Sequence, residues 1–169
     1  LPYKYIINEM FHFALYDHDI EVRSTALSVL TEHADEVLAS PEFMKFFEVF
    51  VNDDATTVRR LSFNLLEKLV VYNPAMVTAI TRNALLDSFF VMRNVPSIRQ
   101  RSRTAKCLPD LIKASSRTIK IYSSGFMEIA ISVFKKRERQ NQKFENFLEV
   151  HAYNRYFISL LSSVSLLAK

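Results

Sequence analysis

A chain of 169 residues with 49% apolar side chains is long enough for one domain with a sizeable core. Its single glycine, Gly125, all but excludes hairpin turns, phosphate loops and dinucleotide fingerprints, which depend on that residue, and implies an all-helical chain whose loops are closed by Asn, Asp and Ser. The net charge of +4 hides a split: residues 1–84 carry 7 basic and 12 acidic side chains, residues 85–169 carry 15 and 6, so one end is acidic and the other basic. Cys107 is alone, which rules out an internal disulfide and a Cys-based zinc site. The four histidines show no i, i+4 pair with a Glu between them, so no metal or other cofactor is expected.

In chain order, residues 3–16 place Tyr5, Ile6, Met10, Phe11, Phe13, Ala14 and Leu15 at mostly helical spacing. A partner helix follows over about residues 19–33. Ser40-Pro41-Glu42 is a helix start, with an N-cap, Pro at the first helical position and an acid in the first turn. Phe43, Met44, Phe46, Phe47 and Phe50 then crowd one short helix, more bulk than one stripe holds, which implies neighbours on both sides.

A helix over 55–71 ends at Tyr72-Asn73-Pro74, because the residue before Pro avoids the α region, and Asn73 caps a helix over 74–92. The next helix, 96–114, contains Pro109, which should kink or split it. Residues 117–136 form another helix around Gly125. The polar run 135–146 suggests an exposed loop, and a last helix spans 147–168. That last helix has no strongly charged outer face, and the chain lacks an initiator Met, so flanking repeats are expected. Its apolar run from 156 to 168 is broken by serines and is shorter than the roughly 20 residues that span a bilayer, so no transmembrane segment is expected.

The turns repeat. Four residues separate Asp17 from Val22-Arg23, and four separate Asp53 from Val58-Arg59, 36 residues on. Ile98-Arg99 follows 40 residues later, with Arg93 where the Asp would stand. Self-similarity at this period marks a solenoid of helical hairpins, and an Asp turn leading into a Val-Arg helix is the usual junction inside a HEAT repeat. The Asp accepts hydrogen bonds from the free N–H groups of the second helix, and the Arg can reach a carboxylate or carbonyl of the next repeat. Asp17, Val22, Arg23, Asp53, Val58, Arg59, Ile98 and Arg99 are therefore the expected repeat junctions, with a weaker ladder at the third.

These landmarks, with Leu38-Ala39-x-Pro41-Glu42, Asn73-Pro74-Ala75-x-Val77, Arg82, Ala105, Leu108 and Arg117-x-Ile119-Lys120-x-Tyr122, resemble the N-terminal HEAT solenoid of the target-of-rapamycin (TOR) kinases from about residue 16 to 136. The chain departs from that pattern at Glu67 and Pro109, where a small residue is usual, at Ala79 in place of a Pro, and at Arg60-Leu61 in place of an acidic-aliphatic pair. The resemblance implies a scaffold within a Ser/Thr kinase complex, protein partners of the Raptor or Rictor type, and residence in the cytoplasm or at an endomembrane surface.

None of the Gly-rich loop, ion-paired Lys, H-R-D-type base or D-F-G metal site of a protein kinase occurs here, so any kinase chemistry would belong elsewhere in a longer parent. Arg99, Arg103 and Lys106, spaced i, i+4, i+7, share one helix face, and Lys135, Lys136 and Arg137 extend the basic series. That series is open to three readings: a solvated face, a dock for an acidic protein, or a contact for nucleic acid or anionic membrane. The aromatic interleaving of a nucleic-acid groove is nearly absent, Tyr122 being the one nearby candidate.

The expected architecture is an all-α, right-handed superhelix of four hairpins, over about residues 1–36, 37–73, 74–114 and 115–169. A HEAT transport or chromatin adaptor of the karyopherin or condensin type is the alternative. Val58→Asp should damage this stack by burying a charge, whereas Arg101→Glu should leave the fold intact.

Overall fold

A computed structural model describes residues 2–140, together with 162, 163 and 165. The described residues form an all-α helical repeat. Helices α1 (Pro2–Tyr16) and α2 (Ile20–Glu32) make the first hairpin. The short α3 (Pro41–Met44) and α4 (Phe47–Phe50) pair with α5 (Thr56–Leu69), and α6 (Pro74–Asn94) pairs with α7 (Ile98–Ala114). Helix α8 (Ile119–Gln140) packs on α6. The second helices of the hairpins stack in sequence, α2 on α5 and α5 on α7, and the first helices lie behind them. Each apolar face is thus covered by the next hairpin.

Local chemistry accounts for most of the boundaries. Asp19 caps α2 by accepting from the Glu21 N–H at 2.8 Å. Asn73 caps α6, accepting from Met76 at 3.2 Å, while its Nδ2 donates to the Ala39 carbonyl at 2.8 Å and ties two repeats together. Lys68 donates to the Thr31 carbonyl at the C-terminal end of α2, a cation where the helix dipole favours one.

Three expectations change. The helix opened by Pro41 is interrupted at Lys45-Phe46, where i→i−3 bonds replace the α pattern. Across the break Phe43, Phe47 and Phe50, spaced i, i+4, i+7 and all fully buried, share one face and converge on Phe11 of α1 with ring centroids 5.0, 6.2 and 5.7 Å away. Each such burial is worth about 2 kcal/mol or more. Second, of the two outcomes expected at Pro109 the split does not occur, and α7 runs through it as one helix. Third, residues 135–140 continue α8 instead of opening a loop. Lys-Lys-Arg-Glu-Arg-Gln is polar, but every member is a good helix former. The remainder of that run, 141–146, and the last expected helix, 147–168, lie outside the described residues except for Ser162, Ser163 and Ser165, which are helical.

By length and composition α6 could cross a membrane. Its exposed Arg82 and Asp87, with Val77, Thr81 and Leu85 packed inside, make it a solenoid helix.

Candidate functional site

The junction between the first two repeats is a built ion pair. Arg23, 8% exposed, points from α2 at the turn before α5. Its Nε donates to Asp53 Oδ2 at 3.1 Å and its Nη2 to Asp53 Oδ1 at 3.0 Å, a fork-on-fork pair, and Nη2 also reaches Asp54 Oδ1 at 2.7 Å. The other terminal nitrogen, Nη1, closes back on the carbonyls of Asp17 (3.0 Å) and His18 (3.3 Å). Arg23 thus reaches both a carboxylate of the next repeat and carbonyls of its own turn.

The guanidinium is pushed above its ordinary pKa, first by the Asp53 hydrogen bond and against the cost of burial. Asp54 is held below the usual carboxylate range, first by its hydrogen bonding with the Asp53 carboxyl and then, against desolvation, by the Arg23 charge. Each Asp also shapes its own turn: Asp17 Oδ1 accepts from the Asp19 N–H, and Asp53 Oδ1 from the Ala55 N–H, both at 2.8 Å.

Three arginines hold one place in the three hairpins. Each follows its helix N-cap by four residues: Arg23 after Asp19, Arg59 after Ala55 and Arg101 after Ser97. Each donates to the carbonyl five residues back, at 3.3 Å in every case: Arg23 to His18, Arg59 to Asp54 and Arg101 to Pro96. Arg101 therefore takes the position that the Ile98-Arg99 dipeptide suggested for Arg99, which is exposed, while Ile98 is half-buried. Arg101 is itself only partly exposed, so Arg101→Glu is not the neutral change expected from the sequence; Arg99→Glu is. Val58 is fully buried, whereas Val22 stays 38% exposed on the outer face of α2.

Six residues before Arg23 and Arg59 stand Asp17 and Asp53; six before Arg101 stands Val95. The carboxylate that would meet Arg59 is missing from the chain. Arg59 donates to the carbonyls of Asp53 and Asp54 and to Thr56 Oγ1, and among the described residues no carboxylate lies within ion-pair distance of it. Beside Arg59 a cavity of about 370 Å³ opens between the Asp53 turn, α6 and α7. Its wall includes Arg59, Phe63, Asp87, Val95, Gln100 and Arg103.

Cys107 also lines the cavity but is itself 4% exposed. Burial pushes its thiol pKa up, and the charge of Arg59 and a hydrogen bond with it pull the other way. Net, the thiol is held protonated and shielded. Against a disulfide reagent at pH 8, Cys107 in the folded chain should react at least about a hundredfold more slowly than in denaturant. Equal rates in the two states would show that the junction is open to solvent.

A second bridge spans the same two hairpins. Arg60 Nε donates to Asp110 Oδ2 at 2.6 Å, from an exposed arginine to a carboxylate only 9% exposed. Neither residue stood out in the repeat pattern, although Arg60 was visible as a departure from the TOR-like sequence. Of the basic series, Arg99 and Arg103 are exposed, Lys106 is half-buried on the same helix, and Lys135 is exposed on α8. Lys136 and Arg137 belong to the backbone of α8, and their side chains lie outside the described residues. Among the described residues no group of His, Cys, Asp and Glu is placed to hold a metal ion.

Comparison with known proteins places the helical stack in context. No family model matches the chain. The chain is 25% identical over 126 residues to the serine/threonine-protein kinase tor1 of Schizosaccharomyces pombe, an alignment covering 75% of this chain and 5% of that protein. It is 24% identical over 128 residues to the serine/threonine-protein kinase mTor of Drosophila melanogaster, covering 76% and 5%. To the serine/threonine-protein kinase TOR of Oryza sativa subsp. japonica it is 28% identical over 119 residues, covering 69% and 5%. The chain is thus similar to one segment of TOR kinases and spans about 5% of the length of these curated relatives. The resemblance carried by the Asp turns and Val-Arg helices holds over most of the chain.

Proposed function

We propose that the chain is a non-catalytic scaffold segment in the N-terminal HEAT arm of a TOR-like Ser/Thr kinase. In this reading it carries no cofactor and no catalytic group. It holds a regulatory subunit of the Raptor or Rictor type and so positions substrates for a distant kinase domain, in the cytoplasm or at an endomembrane surface. The observation that carries the reading is the similarity of three-quarters of the chain to a small segment of several TOR kinases.

The geometry supports a scaffold in two ways. Cross-repeat bonds, Arg23–Asp53 and Arg60–Asp110 among them, resist sliding of one hairpin on the next, so the stack can fix the spacing of whatever it holds. The exposed Arg99 and Arg103, with Lys106 beside them on α7, offer a cationic strip to an acidic protein surface.

The test is affinity purification of the full-length parent, wild type and with Arg99, Arg103 and Lys106 all changed to Glu, followed by mass spectrometry. Recovery of a parent with a C-terminal kinase domain and a Raptor- or Rictor-type companion is expected, with the companion depleted at least about tenfold by the triple change. A parent without a kinase domain, accompanied by transport factors or chromatin proteins, would replace this reading with the adaptor.

A further inference from the structure

We propose that the cavity at the junction of the second and third repeats is a receptor for a carboxylate side chain presented on an acidic peptide segment of a partner protein. The site stands on the ladder geometry and is independent of the kinase assembly proposed above. In the first junction the ladder arginine is answered from the next repeat by Asp53 and Asp54. In the second junction the same arginine position, Arg59, makes the same contact with its own turn, and the residue standing where Asp53 would is Val95. A valine there removes the acceptor and puts an apolar side chain in its place. Arg59 and Val95 line one space of about 370 Å³, larger than a single carboxylate requires and enough for an acidic side chain with part of its backbone.

The rest of the wall suits that occupant. Arg103 adds a second cation, exposed at the mouth, and offsets Asp87 on the opposite helix. The other two acids of the wall, Asp53 and Asp54, share the one charge of Arg23, with Asp54 turned largely to solvent, so Arg59 is the cation the occupant must reach. Phe63 and Val95 can take the methylene groups of the side chain, and Gln100 and Thr104 offer hydrogen bonds to the flanking peptide. Arg59 can meet a planar carboxylate with two parallel N–H bonds, and the acids of the wall repel a doubly charged phosphate more strongly than a singly charged carboxylate.

Nuclear magnetic resonance titration of the 15N-labelled 169-residue chain tests the site, using the capped tripeptides acetyl-Gly-Asp-Gly-amide and acetyl-Gly-Asn-Gly-amide and, separately, inorganic phosphate. The Asp peptide should shift the Arg59 Nε–H and the Gln100 and Thr104 amides saturably, with half-saturation on the order of 1 mM, the scale of one charge-assisted fork. The Asn peptide should bind at least about tenfold more weakly. Arg59→Lys should lose the shift, since an ammonium cannot offer the fork.

Val95→Asp provides an independent check, because it supplies the missing carboxylate from within the chain. It should raise the thermal midpoint and abolish binding of the Asp peptide. Equal shifts from the Asp and Asn peptides would overturn the proposal. So would phosphate binding more tightly than the Asp peptide, which would mark a general anion patch. An Asp peptide that binds Val95→Asp as well as it binds the wild type would also overturn it.

Discussion

Val58→Asp is expected to destabilise the chain by at least about 4 kcal/mol, enough to abolish cooperative thermal unfolding in a domain whose total stability is on the order of 5–15 kcal/mol. Val58 is 0% exposed, and α5, which carries it, is the helix against which both α2 and α7 stack. A carboxylate there either stays ionised in an apolar setting or takes up a proton at a cost set by its raised pKa, and the lost packing adds to either. The comparison that isolates this effect is Val22→Asp, the same substitution at the same place in the first repeat. Val22 is 38% exposed, so its cost should stay within about 1 kcal/mol. Circular dichroism at 222 nm during thermal and urea unfolding reads both. Similar midpoints for the two variants would mean that α5 does not lie between the two junctions as described.

The two valines also mark where sequence reading stops. The repeat Asp-x4-Val-Arg is plain in the chain, and so are the helix starts at Asp19, Pro41 and Asn73, because caps and prolines act within a few residues. Which copy of the motif is buried depends on whether another hairpin covers it, and no local pattern records that. The same holds for the partner of the aromatic face at Phe43, Phe47 and Phe50, which is Phe11, more than 30 residues away. The third junction is a different kind of miss, because its signal was in the sequence. Counting from Arg23 and Arg59, positions four and seven residues on hold Leu27 and Leu30, then Phe63 and Leu66, all buried. Counting from Arg99 the same steps give Arg103 and Lys106; from Arg101 they give Ala105 and Leu108, both fully buried. The helical period fixes the register where the Ile-Arg dipeptide misleads. Once Arg101 is in place, Val95 becomes the residue that stands for the missing Asp, and the lack of a carboxylate opposite Arg59 has a cause.

Asp53→Ala should cost about 3 kcal/mol, most of it from leaving Arg23 nearly buried with half its fork unanswered. The loss falls short of complete because Asp54 Oδ1 stays 2.7 Å from Nη2 and two carbonyls still accept from Nη1. Asp53 also holds its own turn through the Ala55 N–H, so the charge has to be separated from the turn. Asp53→Asn does this: the amide oxygen can still accept from Ala55, whereas the ionic pairing is gone. In a double-mutant cycle with Arg23→Met, Asp53→Asn should show a coupling of about 1–3 kcal/mol. Arg59→Met, which removes an arginine that faces no carboxylate, should cost less than about 1 kcal/mol by the same unfolding measurement. That inequality follows from the ladder having a closed rung at one junction and an open one at the next. A closed rung resists shear at the first junction, whereas at the second that resistance comes from Arg60 and Asp110, on which the pairing of α5 with α7 depends in place of Arg59. If Arg59→Met proved as costly as Asp53→Ala, Arg59 would have to be satisfied by a carboxylate within the chain, and the cavity beside it would be filled.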